Sequence, residues 1–376
     1  MIRKVKKSWL LYAVLFMLII VLNIVAWKST AFCDAYIAHI FPIWVNTYGR
    51  FMNLFSFSVG EIMLYLAAVL VVVFLVSVIS YGCIKLLKKR DNRFLKGYIR
   101  FFLWAVLVVC MIMTLNCSIL YHASTFSEKY FGKDQKQYSL QELVAVRNFV
   151  VERCNSLSVE MVRDENGRIL YEGNIHQDAV ESMQKLGETY DQLDGYYPYP
   201  KPLATSDFFS QQYMCGYYFP FSMEANYNDV MYIMNLHATM CHELAHLRGY
   251  IYEDEANFIS YLACIESDNP VVRYSGYLSV LNYLDNDFYK AVGRNWEIYS
   301  LQPAVLPQVH EDNIFLTQEE WDRIEKKAVL ETETVDEISD VFTDTVLKAN
   351  GVSDGMISYN RVVKLLLQYY DRVGMP

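Results

Sequence analysis

The chain has 376 residues, of which 53% are hydrophobic and 15% aromatic, and its formal net charge is −9. It is longer and more apolar than an average soluble domain, so the composition indicates membrane-embedded segments beside a globular part. Residues 1–100 hold 13 Lys or Arg against 3 Asp or Glu, whereas the rest hold 20 against 39, and this acidic remainder argues against nucleic acid as a partner.

Three uncharged apolar runs in the first third of the chain are long enough to cross a bilayer. They cover residues 9–26, 62–81 and 101–121 and contain 18, 20 and 21 residues, and about 20 residues span the hydrocarbon layer. We therefore predict a membrane domain over residues 1–121 with three transmembrane helices. A cleaved signal peptide is the alternative for the first run, but its length favours an anchor. The runs hold no charged residue, which disfavours a transporter or channel.

Basic residues are distributed unevenly around these runs, and this distribution predicts their orientation. Four precede the first run and seven lie within residues 85–100, whereas the link between the first two runs has only Lys28 and Arg50. Lys and Arg accumulate on the cytoplasmic side, so the N-terminus is expected to be cytoplasmic. The sequence thus predicts a multi-pass protein of the plasma membrane, in contact with the lipid bilayer, whose domain over residues 122–376 is extracytoplasmic.

This second domain reads as mostly helical. Ser139 and Glu142 form a capping-box pattern at the start of a helix that reaches about Leu157, and a second helix fits residues 176–193. Prolines alternate with other residues over 198–202, which predicts a rigid extended connector. An aromatic stretch follows this connector, and after it come three polar residues whose side chains are expected to close a turn or to line a cleft. They are Glu224, Asn226 and Asn228.

Residues 211–221 are rich in aromatic and β-favouring side chains, which predicts one or two short strands. Pro220 restricts such a strand to the edge of a sheet. An edge strand has unpaired backbone groups through which it can bind an extended peptide. An aromatic strand of the core is the alternative interpretation.

The stretch from His242 to His246 has the form HExxH. On an α-helix, with about 100° per residue, the two histidines lie on one face about 40° apart, so both imidazoles can bind one metal ion. Glu243 is placed to act as the general base on a water that the metal activates, without being a ligand itself. We expect the ion to be a single Zn²⁺. A surface helix with solvated charges is the alternative interpretation.

A third ligand is available shortly after the motif. Gly249, three residues after His246, predicts a left-handed helix end, and a second helix is expected to begin at or just before Glu253. Glu253 and Asn257 are four residues apart and lie one above the other on that helix. Glu253 is therefore expected to complete the ligand set while Asn257 hydrogen-bonds a ligand histidine, and Glu255 is the alternative third ligand.

These residues resemble the gluzincin metallopeptidases, whose third ligand is a glutamate in an E-x-x-x-D helix. The corresponding stretch is Glu253 to Asn257, with asparagine in the place of aspartate and with a shorter spacer after His246. The resemblance implies a zincin-like domain in which an edge strand before the HExxH helix binds the substrate backbone, which makes Tyr217, Tyr218 and Phe219 candidate substrate-binding residues. With residues 216–228 and 273–277, the chain also resembles an uncharacterised bacterial family with three N-terminal spans, which implies a zincin-like site but no substrate.

An oxyanion that forms during hydrolysis needs a hydrogen-bond donor opposite the metal, and Arg273 and Tyr274 are candidates. We therefore predict a mainly α protein with three N-terminal transmembrane helices, followed by a mostly helical zincin-like extracellular domain with a small edge β-sheet. The predicted activity is zinc-dependent hydrolysis of a peptide or protein substrate outside the membrane. The alternative is a membrane-bound sensor or binding module whose metal is structural or catalytically silent, but Glu243 disfavours it, since a structural site needs no general base.

Overall fold

A computed structural model describes residues 7–86, 93–132, 136–349 and 361–375. These residues are mainly helical, with one small sheet and three membrane-length helices near the N-terminus, which confirms the predicted secondary-structure class. The helices are α1 (Lys7–Lys28), α2 (Thr30–His39), α3 (Phe41–Trp44), α4 (Arg50–Met52), α5 (Val59–Leu86), α6 (Arg93–Met113), α7 (Phe126–Tyr130), α8 (Leu140–Glu160), α9 (Ile175–Gly187), α10 (Ser206–Ser210), α11 (Ile233–His246), α12 (Glu253–Ile265), α13 (Pro270–Ala291), α14 (Trp296–Tyr299), α15 (Pro307–Asp312), α16 (Gln318–Lys327), α17 (Thr332–Ala349) and α18 (Arg361–Val373). Turns of π-helix lie at Val45–Gly49 and Thr114–Ser118, and turns of 3₁₀-helix at Leu120–His122 and Asp191–Leu193.

Three helical stretches are long and apolar enough to cross a membrane, as predicted. The first membrane-length helix is Lys7–Lys28, the second is Val59–Cys83, and the third is Leu95–His122, which continues α6 through the π and 3₁₀ turns. Most of their apolar side chains are exposed, as expected of surfaces that face lipid. Much of the basic signal for orientation, at residues 3–6 and 88–90, lies outside the described residues, so the orientation stays a prediction.

The segment between the first two membrane-length helices forms an amphipathic cap over residues 30–57. Its helices bury Tyr36 and Phe41 against the globular part and expose Ile43, Trp44 and Leu54. Aromatic and aliphatic side chains exposed in this way suit the interface between lipid and water.

The globular part is built around α11, α12 and α13, which pack against one another and against α8, α9 and α18. The capping box of α8 is confirmed, since Ser139 accepts a hydrogen bond from the backbone of Glu142 and its own N–H donates to the Glu142 carboxylate. The second predicted helix, α9, ends at Gly187, six residues before the expected end. The chain turns back there and passes so close to Gly187 that a Cβ on this residue would lie 2.9 Å from the carbonyl oxygen of Leu193.

The sheet has three strands in the order β1-β3-β2, namely β1 (Lys201–Pro202), β2 (Gly216–Phe219) and β3 (Glu224–Tyr227). β3 is antiparallel to β2, with Tyr217 opposite Asn226, and parallel to β1. β2 is the predicted edge strand. Two expectations are wrong: the proline-rich connector contributes a strand, and Glu224 and Asn226 form the fully buried β3 instead of a turn.

The buried carboxylate of Glu224 joins this sheet to the second membrane-length helix. Its oxygens accept hydrogen bonds from the backbone N–H groups of Val59 (3.2 Å) and Gly60 (2.7 Å), at the start of α5. The first N–H groups of a helix have no partner within it and carry partial positive charge, so a carboxylate is stabilising there. Glu224 also forms a buried ion pair with Lys201.

A second buried carboxylate, on α5 itself, accepts hydrogen bonds from the globular part. The carboxylate of Glu61, in the first turn of α5, accepts hydrogen bonds from the backbone N–H groups of Ala204 (2.8 Å) and Thr205 (2.8 Å) and from the Thr205 hydroxyl. Glu61 is 5% exposed. Two buried carboxylates thus fix the sheet to the second membrane-length helix.

Replacing Glu224 with glutamine leaves the Lys201 ammonium buried without its counter-ion. We expect the change to cost about 3 kcal/mol, which corresponds to a fall in Tm of roughly 4–6 °C for a chain of this length. Thermal unfolding of the detergent-solubilised full-length protein measures this shift. The control is Glu319→Gln, which breaks an exposed ion pair with Arg168 and is expected to cost less than about 1 kcal/mol. Equal Tm values for the two variants would contradict the argument.

Candidate metal centre

The end of α11 and the start of α12 position the candidate ligands. α11 ends at His246, and Gly249 follows with a φ of +91°, which confirms the predicted left-handed turn. The N–H of Gly249 donates to the carbonyl of His246 at 3.0 Å. A Cβ at Gly249 would also lie 2.9 Å from Ile37 of the cap, so both the conformation and the packing favour glycine. α12 then begins at Glu253.

Three side chains converge beside this turn. Nε2 of His242 lies 3.1 Å from Nε2 of His246 and 3.0 Å from Oε2 of Glu253. One ligand atom from each residue lies within 4.8 Å of the other two. The structure therefore brings the three predicted ligands together, and their binding of a metal ion stays a prediction.

The hydrogen bond that each imidazole makes through Nδ1 determines whether its Nε2 atom can bind a cation. Nδ1 of His246 lies 2.7 Å from the carbonyl oxygen of Tyr250, which can only accept, so this Nδ1 carries a proton. Nδ1 of His242 donates in the same way to Oδ1 of Asn257 at 2.8 Å. In the neutral imidazoles both Nε2 atoms are then unprotonated, and their lone pairs face each other and the Glu253 carboxylate. Such a group is stable only with a cation between its members.

The pKa values of His242 and Glu253 show that the cluster favours one positive charge. Burial lowers the pKa of His242, but the hydrogen bond to Glu253 and its charge outweigh burial and raise it to about 9. Burial raises the pKa of Glu253, but the hydrogen bond and charge of His242 outweigh it and lower the pKa to about 2. Burial lowers the pKa of His246 to about 4. One proton, on His242, thus supplies the positive charge that a metal ion would replace.

Glu243 is the buried carboxylate next to this cluster. It is 4% exposed, and its Oε2 has no hydrogen-bond partner among the described residues. Burial raises its pKa to about 8, against the opposing charge of His242. β2 approaches it closely at Gly216, where a Cβ would lie 2.9 Å from Oε1. The carboxylate is therefore able to accept and release a proton near neutral pH.

A cleft of about 970 Å³ opens in front of these residues. Its walls come from β2, α11, α12, α13 and α17 and from the end of the third membrane-length helix. Of the predicted substrate-binding residues, Tyr217 and Tyr218 line the cleft, whereas Phe219 points its ring at Gly60 of α5. The volume is typical of sites that hold a peptide or another small ligand.

The surroundings of Glu253 and Glu255 differ, and the difference bears on which of them is the third ligand. Both oxygens of Glu255 accept hydrogen bonds from Ser127, one from its hydroxyl at 2.8 Å and one from its N–H at 3.2 Å. Glu255 therefore faces away from the histidines. Of the two alternatives, the geometry favours Glu253 as the third ligand.

The two candidate oxyanion donors do not reach the site. Tyr274 is fully buried and donates to Oδ2 of Asp312 at 2.9 Å, and Arg273 donates to the carbonyls of Ser267 and Asp268. Neither side chain lines the cleft. Tyr283, nine residues after Tyr274 on α13, does. Nine residues correspond to about 180° around a helix, so Tyr274 lies on the face of α13 opposite the one that lines the cleft.

Removing one imidazole tests the cluster as a metal centre. We expect the wild-type protein to hold zinc and His246→Ala to lose it, because only two ligands remain. Elemental analysis of the purified full-length protein measures this. The control is His310→Ala, which changes an exposed histidine of α15 and should leave the zinc content unchanged. Equal zinc in the two variants would contradict the assignment.

Zinc affinity should also depend on pH. His242 has a pKa of about 9, so below that pH a metal ion must displace a proton. The apparent affinity is therefore expected to fall about tenfold for each pH unit between roughly pH 8.5 and 6.5. Competition with a chelating dye at several pH values measures the slope, and an affinity independent of pH would contradict the proton assignment.

A family model described as "Protein of unknown function (DUF3810)" matches residues 36–367. No curated protein and no solved structure matches the chain. The matched range contains the second and third membrane-length helices, the sheet and every residue of the candidate metal centre, but the comparison assigns no chemistry to them.

Proposed function

The chain belongs to the DUF3810 family of proteins of unknown function, and from the geometry of its site we propose that it is a membrane-anchored, zinc-dependent metallopeptidase. The observation that carries the proposal is the convergence of His242, His246 and Glu253 with a second buried carboxylate, Glu243, beside them in a cleft. The arrangement is similar to that of the gluzincins. The proposed substrate is a peptide or protein outside the membrane.

The donor set suits zinc. Two imidazole nitrogens and one carboxylate oxygen are a ligand set found in catalytic zinc sites, which keep a further position open. The ion, when bound, would act as a Lewis acid and lower the pKa of a water molecule toward neutral. Asn257 and the carbonyl of Tyr250 orient the two histidines, so the ligand atoms are held in place before any ion arrives.

Glu243 is proposed as the general base. It would take a proton from the attacking water and pass it to the leaving amine, which requires a group whose pKa lies near the working pH. Burial provides that property, because it raises the pKa of this carboxyl to about 8. Its neighbour Gly216 leaves room between the carboxylate and β2.

The proposed reaction also needs groups that bind the peptide and stabilise the oxyanion, and we assign both to the walls of the cleft. β2 presents an edge to which an extended peptide can pair through backbone groups. Tyr283 is the proposed donor to the oxyanion, since it lines the cleft, whereas Tyr274 does not. Burial raises the pKa of Tyr283 to about 12, so it remains a proton donor at neutral pH.

The substitution Glu243→Gln separates binding of the metal from catalysis. We expect it to keep stoichiometric zinc and to abolish cleavage of a broad peptide library, because glutamine has nearly the same shape but cannot accept the proton. Mass spectrometry of the library and elemental analysis measure the two properties. The control is Glu266→Gln, an exposed glutamate just after α12. A wild-type protein that holds zinc and cleaves nothing would contradict the proposal and favour the sensor or binding module.

The assignment of the oxyanion donor is tested with a matched pair on α13. Tyr283→Phe is expected to lower kcat about 10- to 1000-fold with little change in KM, because the lost hydrogen bond forms only in the transition state. Tyr274→Phe, which loses the bond to Asp312, should leave kcat unchanged. A larger loss of kcat in Tyr274→Phe than in Tyr283→Phe would contradict the assignment.

A further inference from the structure

One wall of the cleft belongs to the third membrane-length helix. Met113, Cys117 and Tyr121 line it, and their spacing of four residues places them along one helix face. The helix has 28 residues, about 42 Å at 1.5 Å per residue, whereas the hydrocarbon layer is about 30 Å thick. Lys96 and Arg100 lie in its first two turns, and its uncharged part, residues 101–121, is about 32 Å long, so the end that carries the cleft wall lies near one surface of the hydrocarbon layer.

A second contact marks the level of the membrane surface. The Trp27 ring, in the last turn of the first membrane-length helix, lies 4.4 Å from the His122 ring at the end of the third. Trp27 is 60% exposed, and tryptophan favours the interface between lipid and water. Tyr121 contacts Tyr252, one residue before the ligand Glu253, through a hydrogen bond of 2.8 Å. The metal centre thus lies close to this interface.

β2 connects the catalytic carboxylate with the membrane helices. At its first residue, Gly216, the strand passes Glu243, and at its last, Phe219, it packs on Gly60 in the first turn of α5. The carbonyl of Pro220, the next residue, accepts a hydrogen bond of 2.8 Å from Asn116 of the third membrane-length helix. The strand has four residues, and at about 3.3 Å each they cover about 13 Å.

The outer edge of β2 can accept another strand. The Cys215 carbonyl accepts from the Asn228 N–H at 2.7 Å, and backbone bonds to the partner strand alternate along an antiparallel pair. Gly216 and Tyr218 therefore direct their backbone groups away from β3, toward the cleft. A peptide paired with this edge would run from Glu243 to the membrane surface.

From this path we infer that the substrate is a membrane-tethered polypeptide, cleaved about four to six residues from the point where it leaves the membrane. The inference rests on the proposed peptidase function and names its substrate class. The apolar side chains at the membrane end of the cleft, Met113 and Phe221, suit residues next to a membrane segment. Antiparallel pairing with β2 places the anchor on the N-terminal side of the cleaved bond, and parallel pairing places it on the C-terminal side.

The test compares tethered and free peptides. The full-length protein is reconstituted in liposomes with a randomised ten-residue library that is either free or joined to a transmembrane helix at its N- or C-terminus, with spacers of increasing length. We expect a tethered library to be cleaved at least about tenfold faster, through its higher effective concentration, and at bonds a constant short distance from the anchor.

The outcomes separate the two proposals. Equal cleavage of the free and tethered libraries, or cut sites that ignore the distance to the anchor, would overturn the membrane-tethered substrate and leave the peptidase function standing. Cleavage of neither library by zinc-loaded protein would overturn both proposals.

A second measurement does not depend on cleavage. A photo-crosslinking phenylalanine analogue at Phe221, beyond the membrane end of β2, should capture lipid in liposomes, whereas the same analogue at Tyr213, before the other end, should not. Mass spectrometry detects the adduct. Absence of lipid at Phe221, or equal capture at Tyr213, would overturn the inference whatever the library shows.

Discussion

The site depends on two imidazole nitrogens that lie 3.1 Å apart beside a carboxylate, a group that needs one positive charge, either a proton on His242 or a metal ion. Three electron-rich groups held this close in a buried place repel one another unless a cation lies between them. The surrounding structure maintains the arrangement, since Asn257 and the carbonyl of Tyr250 fix the rings from behind. A cluster held in this way suits the proposed metal ion.

Most of this cluster could be predicted from the sequence because it is local. His242 and His246 are one turn apart, and Gly249 allows the chain to reverse within a few residues, so that Glu253 returns to the same point although the spacer is short. Helix periodicity and one left-handed residue determine these positions. The position of Asn257 beside His242 could be predicted in the same way, from its spacing of four residues from Glu253 on α12.

What could not be predicted depends on contacts between distant parts of the chain. Glu224 binds a helix start 164 residues earlier, and nothing in its neighbourhood distinguishes this from a turn residue. Tyr274 and Tyr283 both suit an oxyanion donor, and only the packing of α13 against its neighbours decides which one faces the cleft. The two-residue strand β1 is too short to produce a periodic pattern.

The attachment of the sheet to the membrane helices bears on how such a peptidase would select its substrates. A strand that binds a peptide through backbone groups discriminates weakly among side chains. Glu61 and Glu224 are buried and hold the sheet against the start of α5, so the distance from Glu243 to the membrane helices is a property of the fold and not of a flexible linker. In the proposed peptidase selectivity would then come from position, because only bonds at that distance from the bilayer would reach the proposed metal ion.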